Sequence, residues 1–173
     1  MQLIRCTKKL QKAIGLKATD LVDIETIPSF LGGWHANLLV INRLKCVLFT
    51  NNKTLFNFLI TGVKKAQLVQ LENLFKSHLQ CVLADEGVDE SICSKIMQEY
   101  SSIGFAKTNS RSILGSMNDL AFIYEYHIQE EGGVGNCLLP SIIRKLNRMP
   151  MKGLSYDHPI EALHNFLSKQ KTQ

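Results

Sequence analysis

Three apolar runs between Trp34 and Thr61 constrain the fold more than any other part of this sequence. The runs are WHANLLVIN, LKCVLFT and TLFNFLIT, and they are joined by the turns NR, whose Asn42 also ends the first run, and NNK. Apolar residues in this pattern are typical of β-strands, and turns this short join antiparallel neighbours. The middle run is apolar at nearly every position, which places it inside a sheet with both faces covered. The sequence therefore predicts a three-stranded antiparallel meander.

The rest of the chain is mostly helical in pattern. MQLIRC and IGFAKT are predicted as short strands, and apolar residues recur at helical spacing within 64–87, 88–100 and 110–130. Early strands and late helices favour an α+β fold, in which an antiparallel sheet (the meander plus short strands) packs against several helices. We expect an α+β core domain over residues 1–131. A helical C-terminal extension over residues 132–173 is expected to pack on that core.

Charge and cysteine usage indicate the class of protein. The formal net charge is +5, and a positive field favours anionic partners such as nucleic acid. The alternative is an ordinary solvated surface, because no run of five or six like charges occurs. Five scattered cysteines without a CxxC pair are typical of reduced thiols. No apolar run approaches the ~20 residues of a membrane span, and the first residues lack a leader pattern. These features predict a cytoplasmic protein with no membrane association.

The segment TNSRSILGSMND, Thr108 to Asp119, places many polar residues at the start of a predicted helix. Asn109 or Ser110 suits the N-cap, and free N–H groups at a helix start favour anions. One interpretation is a phosphate or carboxylate site formed by Thr108, Asn109, Arg111, Ser112 and Asn118. The other is that Arg111 pairs with Asp119 or a neighbouring carboxylate, while Gly115 permits close packing on the sheet.

His35 is the candidate catalytic residue. Alternation along a strand places His35 and Asn37 on one face, and Trp34 and Ala36 on the other. If the His35 face meets the 111–118 helix, the two clusters form one polar pocket, with His35 as a proton shuttle. The alternative is a hydrogen bond from His35 to a loop carbonyl. No zinc spacing, P-loop or dinucleotide motif occurs, so we expect no metal and no cofactor.

Three separated segments resemble a bacterial domain family of unknown function. They are IRCTKKL (4–10), WHANLLVINRLKCVLFTN (34–51) and TNSRSILGSMND (108–119), and the likeness covers roughly the first 125 residues. Similar domains occur in proteins of the plasmid open-reading-frame-three family, which is associated with mobile elements. The resemblance carries no established activity. It implies that motif positions are occupied by Arg5, Thr7, Lys8, His35, Asn37, Arg43, Asn109, Arg111, Ser112, Met117 and Asn118.

Three functions remain open. The first is a binding module for a phosphate-bearing ligand, nucleic acid or nucleotide, held in a basic and polar pocket; Trp34 either stacks a base or belongs to the core. The second is a protein-interaction or accessory subunit linked to mobile elements. The third is an enzyme acting on a phosphate ester, with His35 as acid or base. The ligand-binding candidates are Arg5, Lys8, His35, Asn37, Arg43, Thr108, Asn109, Arg111, Ser112 and Asn118.

Overall fold

The computed structural model describes residues 1–24 and 29–171, and these ranges contain five strands and seven α-helices. In chain order the elements are β1 (Gln2–Cys6), α1 (Lys8–Ile14), a 3-10 turn (Ala18–Asp20), β2 (Trp34–Ile41), β3 (Leu44–Asn51), β4 (Asn57–Ile60), α2 (Lys65–Val69), α3 (Leu71–Asp85), α4 (Glu90–Glu99), β5 (Ile103–Lys107), α5 (Arg111–Glu130), α6 (Leu139–Leu146), a second 3-10 turn (Lys152–Leu154) and α7 (Pro159–Lys171).

The sheet is mixed, so the expectation of a purely antiparallel sheet is wrong, although the α+β class is confirmed. The strand order is β4-β3-β2-β1-β5, and β1 runs parallel to both β2 and β5. Parallel neighbours require a crossover, and α1 lies in the connection from β1 back to the start of β2. The β1–β5 pair joins Gln2 to Ile103, and no local sequence pattern encodes a pairing over that distance.

The predicted meander is confirmed in β2, β3 and β4, which pair antiparallel in sequence order. Asn42 and Arg43 form the two-residue turn between β2 and β3. Their φ angles are 50° and 65°, and two positive values match the type I′ turn that suits the twist of a hairpin. Arg43 is therefore exposed at the tip of the hairpin.

The two faces of the sheet are covered by different helices. On one face, Trp34 packs edge-on against Phe75 of α3 at 5.4 Å between ring centroids. Its Nε1 donates to the hydroxyl of Tyr100, which follows α4, at 2.8 Å. On the other face lies α5, whose Tyr124 donates its hydroxyl hydrogen to Asn57 Oδ1 at 2.8 Å. Burial of the apolar stripe of α5 follows the predicted helical spacing.

Side-chain caps begin two of the helices, and the one at Ser110 is among the predicted positions. The Thr7 hydroxyl accepts from the N–H of Leu10 at the start of α1, and Gly15 ends that helix with a φ of 78°. At the start of α5, the Ser110 hydroxyl accepts from the N–H of Ile113. Capping therefore accounts for one polar residue of the 108–119 segment, and the others need a separate account.

The C-terminal helices share the core with the rest of the chain. Ile142 and Leu146 of α6 and Leu163 of α7 are buried in the same apolar cluster as Trp34. The division into residues 1–131 and 132–173 stays a prediction. Within the described ranges, none of the helices has the length and apolar character needed to cross a membrane.

Candidate functional site

A row of polar side chains crosses the face of the sheet that α5 covers. Arg5 on β1 pairs with His35 on β2, His35 pairs with Thr50 on β3, and Thr50 pairs with Asn57 on β4. Residues paired across strands project from the same face, and all four are buried. The structure thus brings Arg5 and His35 together, although 30 positions separate them in the sequence.

His35 has no exposed surface, and its two ring nitrogens have different surroundings. Nδ1 lies 2.7 Å from Asn52 Oδ1, an arrangement that places the proton on Nδ1. Within the described residues, Nε2 has no hydrogen-bond partner, and neither does the Thr50 hydroxyl. Burial lowers the pKa of His35, the bond to Asn52 opposes this, and the charge of Arg5 lowers the pKa further. The imidazole is consequently neutral at physiological pH.

Arg5 connects β1 with two neighbouring segments. Its Nη1 donates to the carbonyl oxygen of Lys107 at 3.0 Å, and its Nη2 donates to that of Ile24 at 2.9 Å. The guanidinium thereby holds the end of β5 close to the segment after the first 3-10 turn. The Val22 N–H reinforces that contact by donating to the Phe105 carbonyl at 2.8 Å.

A pocket of about 400 Å³ lies at this junction, at the carboxyl ends of β1 and β5, and we call it the edge pocket. In sheets with parallel strands, ligands commonly bind at this end. Three of the sequence-predicted residues contribute to its wall: Arg5, Thr108 and Asn109. The complete lining is Arg5, Ala18, Leu21, Val22, Asp23, Ile24, Lys107, Thr108 and Asn109.

The other predicted site residues lie outside the edge pocket. Lys8 is exposed on the first turn of α1, and Asn37 Oδ1 accepts from the Thr7 hydroxyl at 2.9 Å. Arg43 is far from the edge pocket. Ala36 pairs with Cys6 at the end of β1, and Arg43 follows Ala36 by seven residues, which is roughly 20 Å along the strand.

The polar residues of α5 face away from His35. Arg111, Ser112 and Asn118 are exposed, whereas the side of α5 against the sheet carries its buried apolar stripe. The structure therefore does not join the His35 and Arg111 clusters into one pocket. The suggested Arg111–Asp119 ion pair is also absent from the described part of the chain. Trp34 has no exposed surface, which matches the core alternative rather than base stacking.

Sequence reasoning missed Lys107 and Asp23, which give the edge pocket one basic and one acidic side chain. Lys107 is the last residue of β5 and directly precedes Thr108, so its position beside a predicted site residue was a usable signal. Asp23 carries no such signal, because only the fold brings residues 21–24 beside β5. Across the described ranges, no group of three or more His, Cys, Asp or Glu residues could hold a metal ion.

A family model matches residues 3–162 of this chain, from β1 into the first turn of α7. The chain belongs to the family described as "Domain of unknown function (DUF6933)". The expected membership of a family of unknown function is thereby confirmed, and the match extends past the first 125 or so residues that carry the resemblance. The whole edge pocket lies within the part of the chain that DUF6933 covers. No curated protein matches the sequence.

Proposed function

We propose that this protein is a binding module for a phosphate-bearing ligand, which it holds in the edge pocket. The observation that carries the proposal is the convergence of Arg5, Lys107, Thr108 and Asn109 on one cleft at the carboxyl ends of two parallel strands. A hydroxyl, an amide and two cationic side chains are the groups that proteins use to bind phosphate oxygens.

The charges around the edge pocket favour an anion, with one opposing group. Lys107 is exposed, while Arg5 is buried and already bonded to two carbonyls, so Lys107 is the cation with freedom to reach a ligand. Asp23, which also lines the edge pocket, carries a negative charge that opposes an anion. The formal net charge of +5 adds an attractive long-range field. These features support a phosphate-bearing ligand, either a nucleotide or a nucleic acid.

Equilibrium binding of ATP and of a short single-stranded oligonucleotide tests the proposal. We expect Lys107→Ala to weaken binding about threefold to tenfold, because one charge-assisted contact is lost. Lys145→Ala removes an equal charge from an exposed position on α6 and is the matched control. Preference for ATP would indicate a nucleotide, and preference for the oligonucleotide with a steeper salt dependence would indicate nucleic acid. No binding, or equal losses in both variants, would overturn the proposal.

The proposal extends to a bacterial cytoplasmic protein associated with mobile elements. The resemblance of three segments to those of mobile-element proteins is the ground for this association, and all five cysteines are free thiols, as is usual in a reducing compartment. Crosslinking in cells tests it: we expect plasmid DNA to be recovered with the protein. If the wild type and the Lys107→Ala variant recover equal amounts of plasmid DNA, a role for the edge pocket is contradicted.

The enzyme alternative has no supporting observation in the site. A general acid or base must reach its substrate within hydrogen-bond distance, and His35 has no exposed surface. Catalysis by His35 stays a prediction. Turnover of a phosphate ester that is lost in His35→Gln, with ATP binding retained, is the result that would establish it.

A further inference from the structure

The outer face of α5 carries exposed aromatic side chains that no helix of the described chain covers. Phe122 is 73% exposed and Tyr126, one turn later, is 53% exposed. Arg111, Gly115 and Asn118 precede Phe122 along the same exposed line, at spacings of four, three and four residues. Spacings that alternate between three and four keep side chains on one face, in the pattern that packs against a second helix.

The same face has an open position at Gly115, where the ring of a residue such as Phe122 from a second helix can pack. A Cβ atom added at Gly115 would meet nothing within 4 Å, so the helix backbone is accessible there. Gly115 and Phe122 are seven residues apart, about 10 Å along the axis. A glycine allows close approach of a second backbone, and a protruding aromatic ring fills the space beside it.

The charges of α5 are basic at its start and acidic from Asp119, near its middle, to its end. Arg111 begins the helix, and it forms no ion pair in the described part of the chain. Glu125, Glu130 and Glu131 lie in or directly after the last two turns. An antiparallel copy of α5 would bring the basic end against the acidic end twice, whereas a parallel copy would place the acidic ends together.

We propose that two copies of this chain associate through the outer face of α5, antiparallel and about a two-fold axis. Phe122 of each copy packs beside the Gly115–Asn118 turn of the other, and Arg111 of each lies near the acidic end of the other. A two-fold contact requires one surface that is complementary to itself, and this face has that property in shape and charge. The proposal is independent of the edge pocket.

Sedimentation velocity over a range of protein concentrations tests the association. We expect the wild type to reach the mass of a dimer and Phe122→Glu to weaken dimerisation by about 30-fold or more, as truncation of a central aromatic anchor does. Val69→Glu is the matched control, because Val69 is 65% exposed on α2, adjoining α3 on the opposite face of the sheet. A wild type that stays monomeric overturns the proposal. A dimer equally sensitive to both variants, or to neither, also overturns it.

Crosslinking through introduced cysteines determines how the two α5 helices are oriented, and it leaves Phe122 unchanged. In a Cys81→Ser background, a short bismaleimide should join two copies of Asn118→Cys, which lie close to the two-fold axis. Ser112→Cys should give no such product, because its two copies are on the order of 20 Å apart in the antiparallel arrangement. Crosslinking of Ser112→Cys but not of Asn118→Cys would overturn the antiparallel pairing. Val69→Cys controls for random collision.

Discussion

Asn147 pairs with the main chain of Asn57 as a neighbouring strand would. Its Nδ2 donates to the Asn57 carbonyl oxygen at 2.8 Å, and its Oδ1 accepts from the Asn57 N–H at 2.9 Å. Asn57 begins the edge strand β4, and both residues are completely buried. The amide at the end of α6 therefore satisfies two backbone groups that the sheet edge leaves unpaired.

Loss of this pairing should destabilise the fold. We expect Asn147→Ala to lower the free energy of unfolding by roughly 2–4 kcal/mol, because two backbone groups are left buried without partners. Urea denaturation measures the change. Asn165→Ala, at an exposed position on α7, is the control and should have little effect. Equal midpoints for both variants would show that water replaces the amide.

The Tyr100 hydroxyl joins the aromatic cluster to the main chain. It accepts from Trp34 Nε1 at 2.8 Å and donates to the Gly32 carbonyl oxygen at 2.5 Å. Tyr100→Phe removes both bonds and should cost roughly 1–3 kcal/mol of unfolding free energy.

Trp34 is the single tryptophan, so its fluorescence reports on this cluster. We expect a changed emission spectrum in Tyr100→Phe and none in Tyr156→Phe, whose ring is 67% exposed. An unchanged spectrum and unchanged stability in Tyr100→Phe would contradict the role of this hydroxyl.

Burial of His35 should make stability depend on pH. Its pKa in the folded protein is lowered from the usual 6.5, mainly because burial disfavours the charged imidazolium. Below about pH 6.5 the unfolded chain therefore binds more protons than the folded one, and the unfolding free energy falls as the pH falls. Above that pH the stability is retained.

The measurement is urea denaturation between about pH 7.5 and about pH 5. His35→Gln should lose less stability than the wild type over this range, whatever its stability at neutral pH. His164→Gln, at an exposed position on α7, should keep the wild-type dependence. If His35→Gln loses as much stability as the wild type over this pH range, the pH dependence comes from another titratable group.

Thiol reactivity should follow burial. Cys81 is exposed, whereas burial raises the pKa of Cys6 to about 12 and also raises that of Cys46 and of Cys93. Since the thiolate is the reactive form, alkylation followed by mass spectrometry should show Cys81 modified first in the native protein. Cys81→Ser should remove that fast phase. Fast modification of Cys6 without unfolding would contradict the burial of β1.

The sequence predicted the meander because the evidence for it is local. The apolar runs of β2 and β3, the short turn at Asn42 and Arg43, and the cap at Ser110 all depend on neighbouring residues. The buried side of α5 was predictable for the same reason, since helical spacing fixes which residues share a face. That spacing also fixed Arg111 and Asn118 on the opposite, exposed side.

The candidate site was predictable only in part. Arg5, Thr108 and Asn109 were candidates from their own segments, but their meeting in one pocket depends on the pairing of β1 with β5. Lys107 and Asp23 join them through the same pairing. A shared pocket of His35 and the polar residues of α5 was one of two interpretations that the sequence left open. It failed because the apolar stripe of α5, and not its polar side, packs on that face of the sheet.

Local patterns in the sequence were sufficient to predict the three strands of the meander, the strands β1 and β5, and the apolar side of α5. The parallel placement of β1 between β2 and β5, the burial of His35 and the formation of the edge pocket depend on the folded chain as a whole. The reason is physical. Hydrophobic periodicity acts over a few neighbouring residues, whereas strand pairing is selected by the packing of the whole chain around one core.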